Sequence, residues 1–361
     1  MTALIPSSGV LVPNRLVLVR ATSSSWAMSL RPFQRALGCA LAIVVTTSGC
    51  DAQAAPVVPP TGPFVVVANQ RRGVATLVEV ASGRVSHVEL GGDPHEVAVS
   101  PDARIAALTI PSERFGGGRK VVVLDLATAR VVRTIDLGDY RNPHGVAFVS
   151  DSVALIGTLA GTSAVYVDVR NGRVLRAVDG LPANPYIVAL TATGRAYVSS
   201  PHSSRVTEID LAAGRISRTF DIPDDPAGIA VTADGKELYA AVWGEGVGGG
   251  IVVFDLDKGI VAAKLPATQP RRITVTANGR LVVVSDRDHL RIVDRASRQV
   301  RSVVLGQNAG GSGVACSPDS TRCYVALSQA GEVVEVDVST ASVARRFAAQ
   351  QGVDGVAYVA R

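Results

Sequence analysis

The stretch Pro226–Gly259 decides the fold, and it reads PAGIAVTADGKELYAAVWGEGVGGGIVVFDLDKG. An apolar run at 229–231 is followed by a turn at 233–235 and a second run at 238–242. A glycine-rich loop then leads to a third run at 251–254, which ends in Asp255. Short runs rich in β-branched residues and separated by turn residues are typical of antiparallel β-strands. We therefore predict a small antiparallel sheet in this stretch.

Imperfect copies of this unit fill most of the chain. Each copy ends its third strand with an acid, which we expect to accept hydrogen bonds from the turn that follows. These acids recur about every 43 residues and are Glu79, Asp125, Asp168, Asp210, Asp255, Asp294 and Asp337. The apolar anchors of the first strand keep the same period: Val97, Val146, Val188, Ile229, Ile273, Val314 and Val356. Such a period predicts an all-β, seven-bladed β-propeller over residues 63–361.

The two ends of the repeat are incomplete in complementary ways. Residues 352–361 form a first strand with nothing after it, whereas the strands near 64–68, 75–80 and 84–90 have no first strand before them. We predict that these segments share one blade, so that the C-terminal strand pairs with the N-terminal strands and closes the ring.

Three pairs of motifs resemble the repeats of the YVTN-type seven-bladed propeller family: PAGIAVTADGKELYAAV with IVVFDLDKG, DPHEVAVSPDARIAALT with VVVLDLATARVV, and SGVACSPDSTRCYVALS with GEVVEVDVSTASV. The resemblance covers about residues 63–361 and implies an exported bacterial propeller. It implies no single activity. Propellers of this general shape include lactonases, a streptogramin-type lyase and the propeller of nitrous oxide reductase.

Residues 1–49 are predicted to be a secretory signal and not part of the fold. Met28 opens a second candidate start, and Arg31 and Arg35 then give a positive region before an apolar run at 36–45. That run is too short to cross a bilayer. The residues before Met28 have two explanations: the start codon is assigned too far upstream, or the signal has an unusually long n-region, the segment before its apolar run.

The end of the signal allows two processing sites. The sequence SGC at 48–50 resembles a lipobox in which Cys50 is lipidated, although Thr47 stands where the lipobox has leucine. Cleavage after Ala54, at an A-x-A site, is the alternative. Residues 50–62 are predicted to be a Pro/Ala tether. We expect an exported lipoprotein of the periplasm or cell envelope, attached to the membrane by its lipid.

The cysteines and charges agree with export. Cys316 and Cys323 flank a turn between two strands that we expect to pair, which predicts a disulfide, with two buried thiols as the alternative. The net charge is +5, but residues 1–49 hold arginines and no acid, so the rest of the chain is close to neutral. Nucleic acid is therefore not an expected partner, and we expect a monomer.

Candidate site residues collect on one face of the predicted ring. The loops before the first strand and between the second and third strands surround the channel there, and such loops commonly carry function. His95 and His144 follow the opening proline in adjacent blades, which makes them a candidate metal pair; hydrogen bonding at a blade junction is the alternative. The other catalytic candidates are His202, Glu113 and Glu245, and the ligand-binding candidates are Tyr186, Trp243, Arg271 and Arg114.

Trp243 opens the glycine-rich loop and is predicted to be either a ligand platform or a ring packed over the blade edge. The sequence has no G-x-S-x-G nucleophile motif. We therefore expect a non-catalytic scaffold that binds a protein or small-molecule ligand on the loop face. The alternatives are a hydrolase or lyase of the lactonase or streptogramin-lyase type, or a metal-binding redox propeller. No cofactor is expected, while His95 and His144 leave a divalent metal open.

Overall fold

Seven four-stranded antiparallel sheets follow one another along the chain and surround a central channel. The computed structural model describes residues 57–113, 116–243 and 249–360. The predicted signal at 1–49, Cys50 and the predicted tether up to residue 56 lie outside the described residues. The predicted all-β, seven-bladed propeller is confirmed.

The strands are numbered in chain order, and each blade is given from its innermost to its outermost strand. Blades 1 to 3 are β28 (Val353–Val359), β1 (Phe64–Asn69), β2 (Val74–Glu79) and β3 (Val85–Glu89); β4 (Val97–Val99), β5 (Ile105–Glu113), β6 (Gly116–Asp125) and β7 (Arg130–Asp136); and β8 (Pro143–Phe148), β9 (Val153–Thr158), β10 (Ser163–Asp168) and β11 (Arg173–Asp179).

Blades 4 to 7 continue the same order. They are β12 (Val188–Leu190), β13 (Arg195–Ser200), β14 (Arg205–Asp210) and β15 (Arg215–Asp221); β16 (Pro226–Val231), β17 (Glu237–Val242), β18 (Gly250–Asp255) and β19 (Ile260–Pro266); β20 (Pro270–Val275), β21 (Leu281–Asp286), β22 (His289–Asp294) and β23 (Val300–Val304); and β24 (Gly311–Cys316), β25 (Arg322–Leu327), β26 (Glu332–Asp337) and β27 (Ser342–Ala348). A 3-10 helix, Pro201–Ser203, joins β13 to β14.

The ring closes as predicted. Strand β28 pairs antiparallel with β1, with Val66 opposite Ala357 and Val67 opposite Val356. The first and last described strands therefore belong to one sheet, and the inner strand of blade 1 comes from the far end of the chain. Closure gives β1 a partner on both sides, so that only the short edges of the innermost and outermost strands of each described blade stay unpaired, as is usual in a propeller.

The hydrophobic core is divided among the seven junctions between neighbouring blades. One cluster of buried side chains fills each junction. Both faces of a blade are covered, so β1 and β2 are buried along their whole length. The outer strand β7 is exposed except at Ile135. Because each sheet is buried on both sides, its middle strands are almost continuously apolar rather than alternating.

Arginines on the outer strands add polar links between blades. Each reaches a backbone carbonyl in the third-to-fourth-strand turn of the next blade. Arg176 donates to Leu211 at 3.1 Å, and Arg218 to Leu256 at 3.2 Å. Arg301 of blade 6 does the same toward blade 7. Their long side chains also cover apolar surface at the rim.

Cys316 and Cys323 form the predicted disulfide between β24 and β25, where they are directly paired. The described end of the predicted tether, residues 57–62, contacts blade 1. The Thr61 N–H donates to Glu79 Oε1 at 2.8 Å, and Arg84 donates to the Pro59 carbonyl at 2.9 Å. No helix in the described part of the chain is long and apolar enough to cross a membrane.

Candidate functional site

The inner strands crowd together where they enter the channel, at the face that carries the loops before the first strand and between the second and third strands. We call this end of the channel the mouth. The Gly145 N–H donates to the Tyr186 carbonyl of the next blade at 2.7 Å. A Cβ at Gly145 would lie 2.4 Å from that carbonyl oxygen, and one at Gly313 would lie 2.3 Å from the Asp354 oxygen. Glycine therefore occupies this inner-strand position in most blades because a side chain has little room.

Three blades place a larger side chain at this glycine position. They carry Glu96, Ile187 and Arg272 where the other blades have Gly145, Gly228, Gly313 and Gly355. Glu96 and Arg272 line a cavity of about 210 Å³ in the channel, together with the seven aliphatic anchors of the inner strands. Two charged residues thus enter an otherwise small and apolar space at the mouth.

Four rings follow one another around the mouth, one from each of blades 2 to 5. The ring centroids of His95 and His144 lie 4.1 Å apart, and His144 stacks on Tyr186 at 4.0 Å. Trp243 meets Tyr186 edge-on at 6.0 Å and is 37% exposed. We call these four residues the aromatic arc; it begins in the buried channel and ends in solvent at Trp243.

Charged groups from the remaining blades complete the mouth. Arg272 of blade 6 binds Glu96 of blade 2 across the channel, and its Nε donates to Oε1 at 2.8 Å. Asp354 Oδ2 of blade 1 lies 3.1 Å from His95 Nδ1, and Ser312 Oγ donates to the other oxygen of Asp354. Burial alone raises the pKa of Glu96, but the Arg272 guanidinium together with His95 and His144 outweighs it and holds that pKa well below its usual range. Glu96 is therefore ionised.

His144 is neutral and lacks a hydrogen-bond partner at one nitrogen. It is 2% exposed. Burial, reinforced by the nearby His95 and Arg272 and opposed by Glu96, holds its pKa well below the ordinary histidine value. Its Nδ1 has no partner among the described residues, and the Nδ1 of His95 lacks a properly aligned hydrogen bond despite the nearby Asp354 carboxylate. Buried unpartnered nitrogens are uncommon, because each forgoes a hydrogen bond that water would supply.

His95, Glu96 and His144 converge on one point. One potential ligand atom from each lies within 4.8 Å of those of the other two. Two imidazoles and a carboxylate can hold a transition-metal ion. A neutral imidazole beside a carboxylate can also accept a proton.

The other predicted site residues lie away from this cluster or outside the described residues. His202 is exposed in the 3-10 helix, and Arg271 is exposed while Arg272 enters the channel. Only the backbone of Glu113 is described. Arg114 and Glu245 lie outside the described residues. Of the sequence-based candidates, the structure therefore places His95, His144, Tyr186 and Trp243 at the mouth.

Glu96 and Arg272 were not among the sequence-based candidates. A signal for both is present in the sequence, because they stand at the position after the channel residue where four other copies have glycine. Because the neighbouring inner strand leaves little room at this glycine position, a charged side chain there is expected to extend into the channel.

A larger depression of about 560 Å³ lies between blades 5 and 6 at the opposite face. Its lining includes Asp255 and Asp294, whose carboxylates already accept N–H groups of their own turns at 2.9 Å. We therefore place the candidate site at the mouth, where donor atoms remain unpartnered.

Comparison with known proteins agrees with the fold class. No family model matches the chain. It is 34% identical over 96 residues to "Uncharacterized protein YncE" of Salmonella typhi and to the protein of the same name in Salmonella typhimurium; the match covers 27% of this chain and 25% of each relative. The chain thus spans about a quarter of the length of the curated relatives it matches.

Two solved structures share the architecture. A functionally unknown protein from Desulfotomaculum acetoxidans superimposes with a TM-score of 0.68 at 16% identity, over 82% of this chain and 99% of that one. A chain of Kuenenia stuttgartiensis hydrazine synthase gives 0.63 at 15% identity, over 74% and 95%. At such low identity these similarities show the fold alone. The protein is a seven-bladed β-propeller with a polar and aromatic channel mouth.

Proposed function

We propose that this protein is an exported, lipid-anchored propeller of the YVTN type that binds a protein or small-molecule ligand at the channel mouth without transforming it. The observation that carries the proposal is the aromatic arc, because it ends in the partly exposed Trp243. Exposed Tyr and Trp rings supply large contact areas at low entropic cost and are enriched at binding surfaces. A flat ring on the ligand is the group that this surface fits best.

The ligand-binding test uses Trp243 as its own reporter. The other tryptophan, Trp26, lies in the predicted signal, so the processed protein emits from one site. The processed protein is titrated with short peptides that contain 4-nitrophenylalanine, a flat ring that quenches tryptophan. We expect saturable quenching for a subset of the peptides, and a weaker affinity in Tyr186→Ala.

His202→Ala is the matched control, because His202 lies on the same face but outside the arc. It should bind the peptides as the parent does. Quenching that rises without saturation, or an affinity that is the same in Tyr186→Ala and the parent, would contradict binding at the arc.

The membrane attachment rests on the lipobox resemblance at Cys50 and has its own test. The parent should partition with membranes, and mass spectrometry of its N-terminal peptide should find a lipid on Cys50. Cys50→Ser should release the protein into the soluble fraction. A mature chain that begins at residue 55 without lipid would instead support cleavage after Ala54.

A hydrolase or lyase is the second candidate, favoured by one observation: the neutral His144 lies in a cluster with the ionised Glu96. Neutral imidazole is the form of histidine that acts as a base. The processed protein is assayed on γ-lactones and on cyclic ester-containing peptides. Turnover that is lost in His144→Phe and kept in His202→Ala would favour this candidate over the non-catalytic scaffold.

A further inference from the structure

We propose that His95, Glu96 and His144 bind one divalent transition-metal ion of the zinc or copper class at the channel mouth. This site goes beyond the ligand-binding surface proposed above and does not depend on it. The ion lies on the channel side of the aromatic arc, whereas the exposed Trp243 is at the other end of the arc.

The donor set and its spacing support this ion class. Zinc binds imidazole nitrogen and carboxylate oxygen at about 2.0–2.2 Å, so two donors on one ion lie roughly 3.3–4.2 Å apart. The three donor atoms here already lie within 4.8 Å of one another, and small side-chain rotations would bring them into range. Two imidazoles favour zinc, copper or nickel, whereas magnesium and calcium prefer all-oxygen sites.

The buried, unpartnered nitrogen of His144 is the second observation that points to a ligand. A side chain that is 2% exposed keeps Nδ1 without a hydrogen bond among the described residues. An ion at this point would supply the missing partner.

Asp354 and Ser312 lie behind His95 as an outer layer of the site. The Asp354 carboxylate is 3.1 Å from His95 Nδ1, and a slight ring rotation would align the contact as a hydrogen bond. Metal-bound histidines commonly donate their second N–H to a carboxylate, which fixes the tautomer and the ring orientation. Ser312 donates to the same carboxylate and holds it in place. His95 Nδ1 also lies 3.5 Å from Glu96 Oε1, so in this arrangement the ring has to turn until Nδ1 keeps Asp354 and Nε2 binds the ion.

Arg272 limits the site without blocking it. Both of its hydrogen bonds to Glu96 end on Oε1, and no hydrogen bond from the described residues reaches Oε2, which leaves Oε2 for an ion. The guanidinium charge weakens the binding of any cation. The bonds from two imidazoles have to offset this repulsion, which again favours zinc-type ions over magnesium.

The test measures metal content and affinity in the processed, chelator-treated protein. The probes are Zn²⁺ and Co²⁺, with Mg²⁺ as the comparison ion. We expect one Zn²⁺ or Co²⁺ per chain with micromolar or tighter affinity, a visible Co²⁺ absorption band, and weak or no Mg²⁺ binding. X-ray absorption of the zinc form should show two imidazole nitrogens at about 2.0–2.1 Å.

Variants locate the ion. His95→Ala and His144→Phe should each lower the affinity by roughly 100-fold, and Asp354→Asn by about 10-fold or more, as outer-layer carboxylates do. His144→Phe keeps a ring against Tyr186 and so guards against loss of folding. His202→Ala should bind as the parent does. Failure to bind one ion per chain, or binding that survives in the His95→Ala, His144→Phe double variant, would overturn the proposal.

Discussion

The repeated acid of each blade is a turn residue, as the sequence predicted. Asp255 Oδ1 accepts the Lys258 N–H at 2.9 Å, and Asp337 accepts the Thr340 N–H at 3.0 Å. The fourth residue after the acid has a positive φ in every blade, between 52° and 74°: Gly83, Ala129, Gly172, Gly214, Gly259, Arg298 and Ala341. This backbone conformation favours glycine. In the three blades where another residue stands, the hydrogen bonds accepted by the carboxylate stabilise this positive-φ conformation.

Replacing Gly259 with alanine tests what this turn conformation costs. A Cβ there meets no atom within 4 Å, so Gly259→Ala adds no clash, and only the φ of +69° is unfavourable. We expect a loss of about 1 kcal/mol in the free energy of unfolding, measured by urea denaturation. Gly62→Ala is the matched control, because its Cβ also meets open space and its φ is not in this region. Equal stability of the two variants would contradict the argument.

Glu79 should make blade 1 sensitive to acid. Hydrogen bonds from Ser82, and then from Thr61, lower its pKa from 4.5 to about 2. Because the folded pKa lies below the unfolded one, this stabilisation is present above about pH 4.5 and is lost as the pH falls toward 2.

Thermal melting of the parent and Glu79→Gln between pH 7 and pH 2 checks this. The variant should melt lower than the parent at pH 7, and the difference should shrink steadily below pH 4.5. The other turn acids titrate in both proteins and therefore cancel in the comparison. A difference in melting temperature between parent and variant that stays constant down to pH 2 would contradict a lowered pKa of Glu79.

At the level of the element, strand β28 matters more than its position at the end of the chain suggests. It pairs with β1 and also packs against the inner strands β24 and β4 of the neighbouring blades. One segment therefore completes a sheet and two blade junctions. Its loss would expose the edge of β1 and the apolar side chains of both junctions.

Removal of residues 352–361 should abolish the cooperative unfolding transition, because the ring cannot close without an inner strand in blade 1. Calorimetry and circular dichroism measure the transition. A chain that ends at Val359 keeps all of β28 and should unfold as the parent does. If the longer truncation unfolds cooperatively at the parent's temperature, closure by β28 does not stabilise the ring.

The strands could be predicted because one period repeats seven times, and the channel face of the site followed from the order of strands within each unit. The identity of the channel arginine did not follow. Arg271 is exposed and Arg272 enters the channel. The register shift between Pro270 and Ile273 does not explain this difference, because β8–β9 shifts in the same way between Pro143 and Val146 while the equivalent His144 is buried. The only sequence signal for Arg272 is its alignment with the glycines of the other copies, and the Arg271-Arg272 pair taken alone does not distinguish the two arginines.

For the whole molecule, the mouth divides the ring into two unlike parts. Blades 2 to 5 supply the aromatic arc, whereas blades 6, 7 and 1 supply Arg272, Ser312 and Asp354. The repeat makes the blades alike in their sheets, and these few side chains make them different in the channel. The two parts meet in the Glu96–Arg272 pair.

The Glu96–Arg272 pair should couple blades that are not neighbours in the ring. The side chains are only 12% and 10% exposed, and blades 7 and 1 lie between them. Removing one partner of a buried ion pair leaves a desolvated charge and costs about 3–5 kcal/mol. We therefore expect Arg272→Met to lose about that much in urea denaturation with a chelator present.

The double variant Glu96→Gln, Arg272→Met should recover much of the loss, because no unpaired charge remains in the channel. Lys264→Met is the matched control. Lys264 also pairs with a carboxylate distant in the sequence, that of Asp224 in the β15–β16 loop at 3.0 Å, but the two side chains are 59% and 43% exposed, so its removal should cost less than about 1 kcal/mol. If the Glu96 and Arg272 substitutions prove additive, the pair does not couple the two sides of the ring. A non-additive result would show that Glu96 and Arg272 are energetically coupled across the channel mouth.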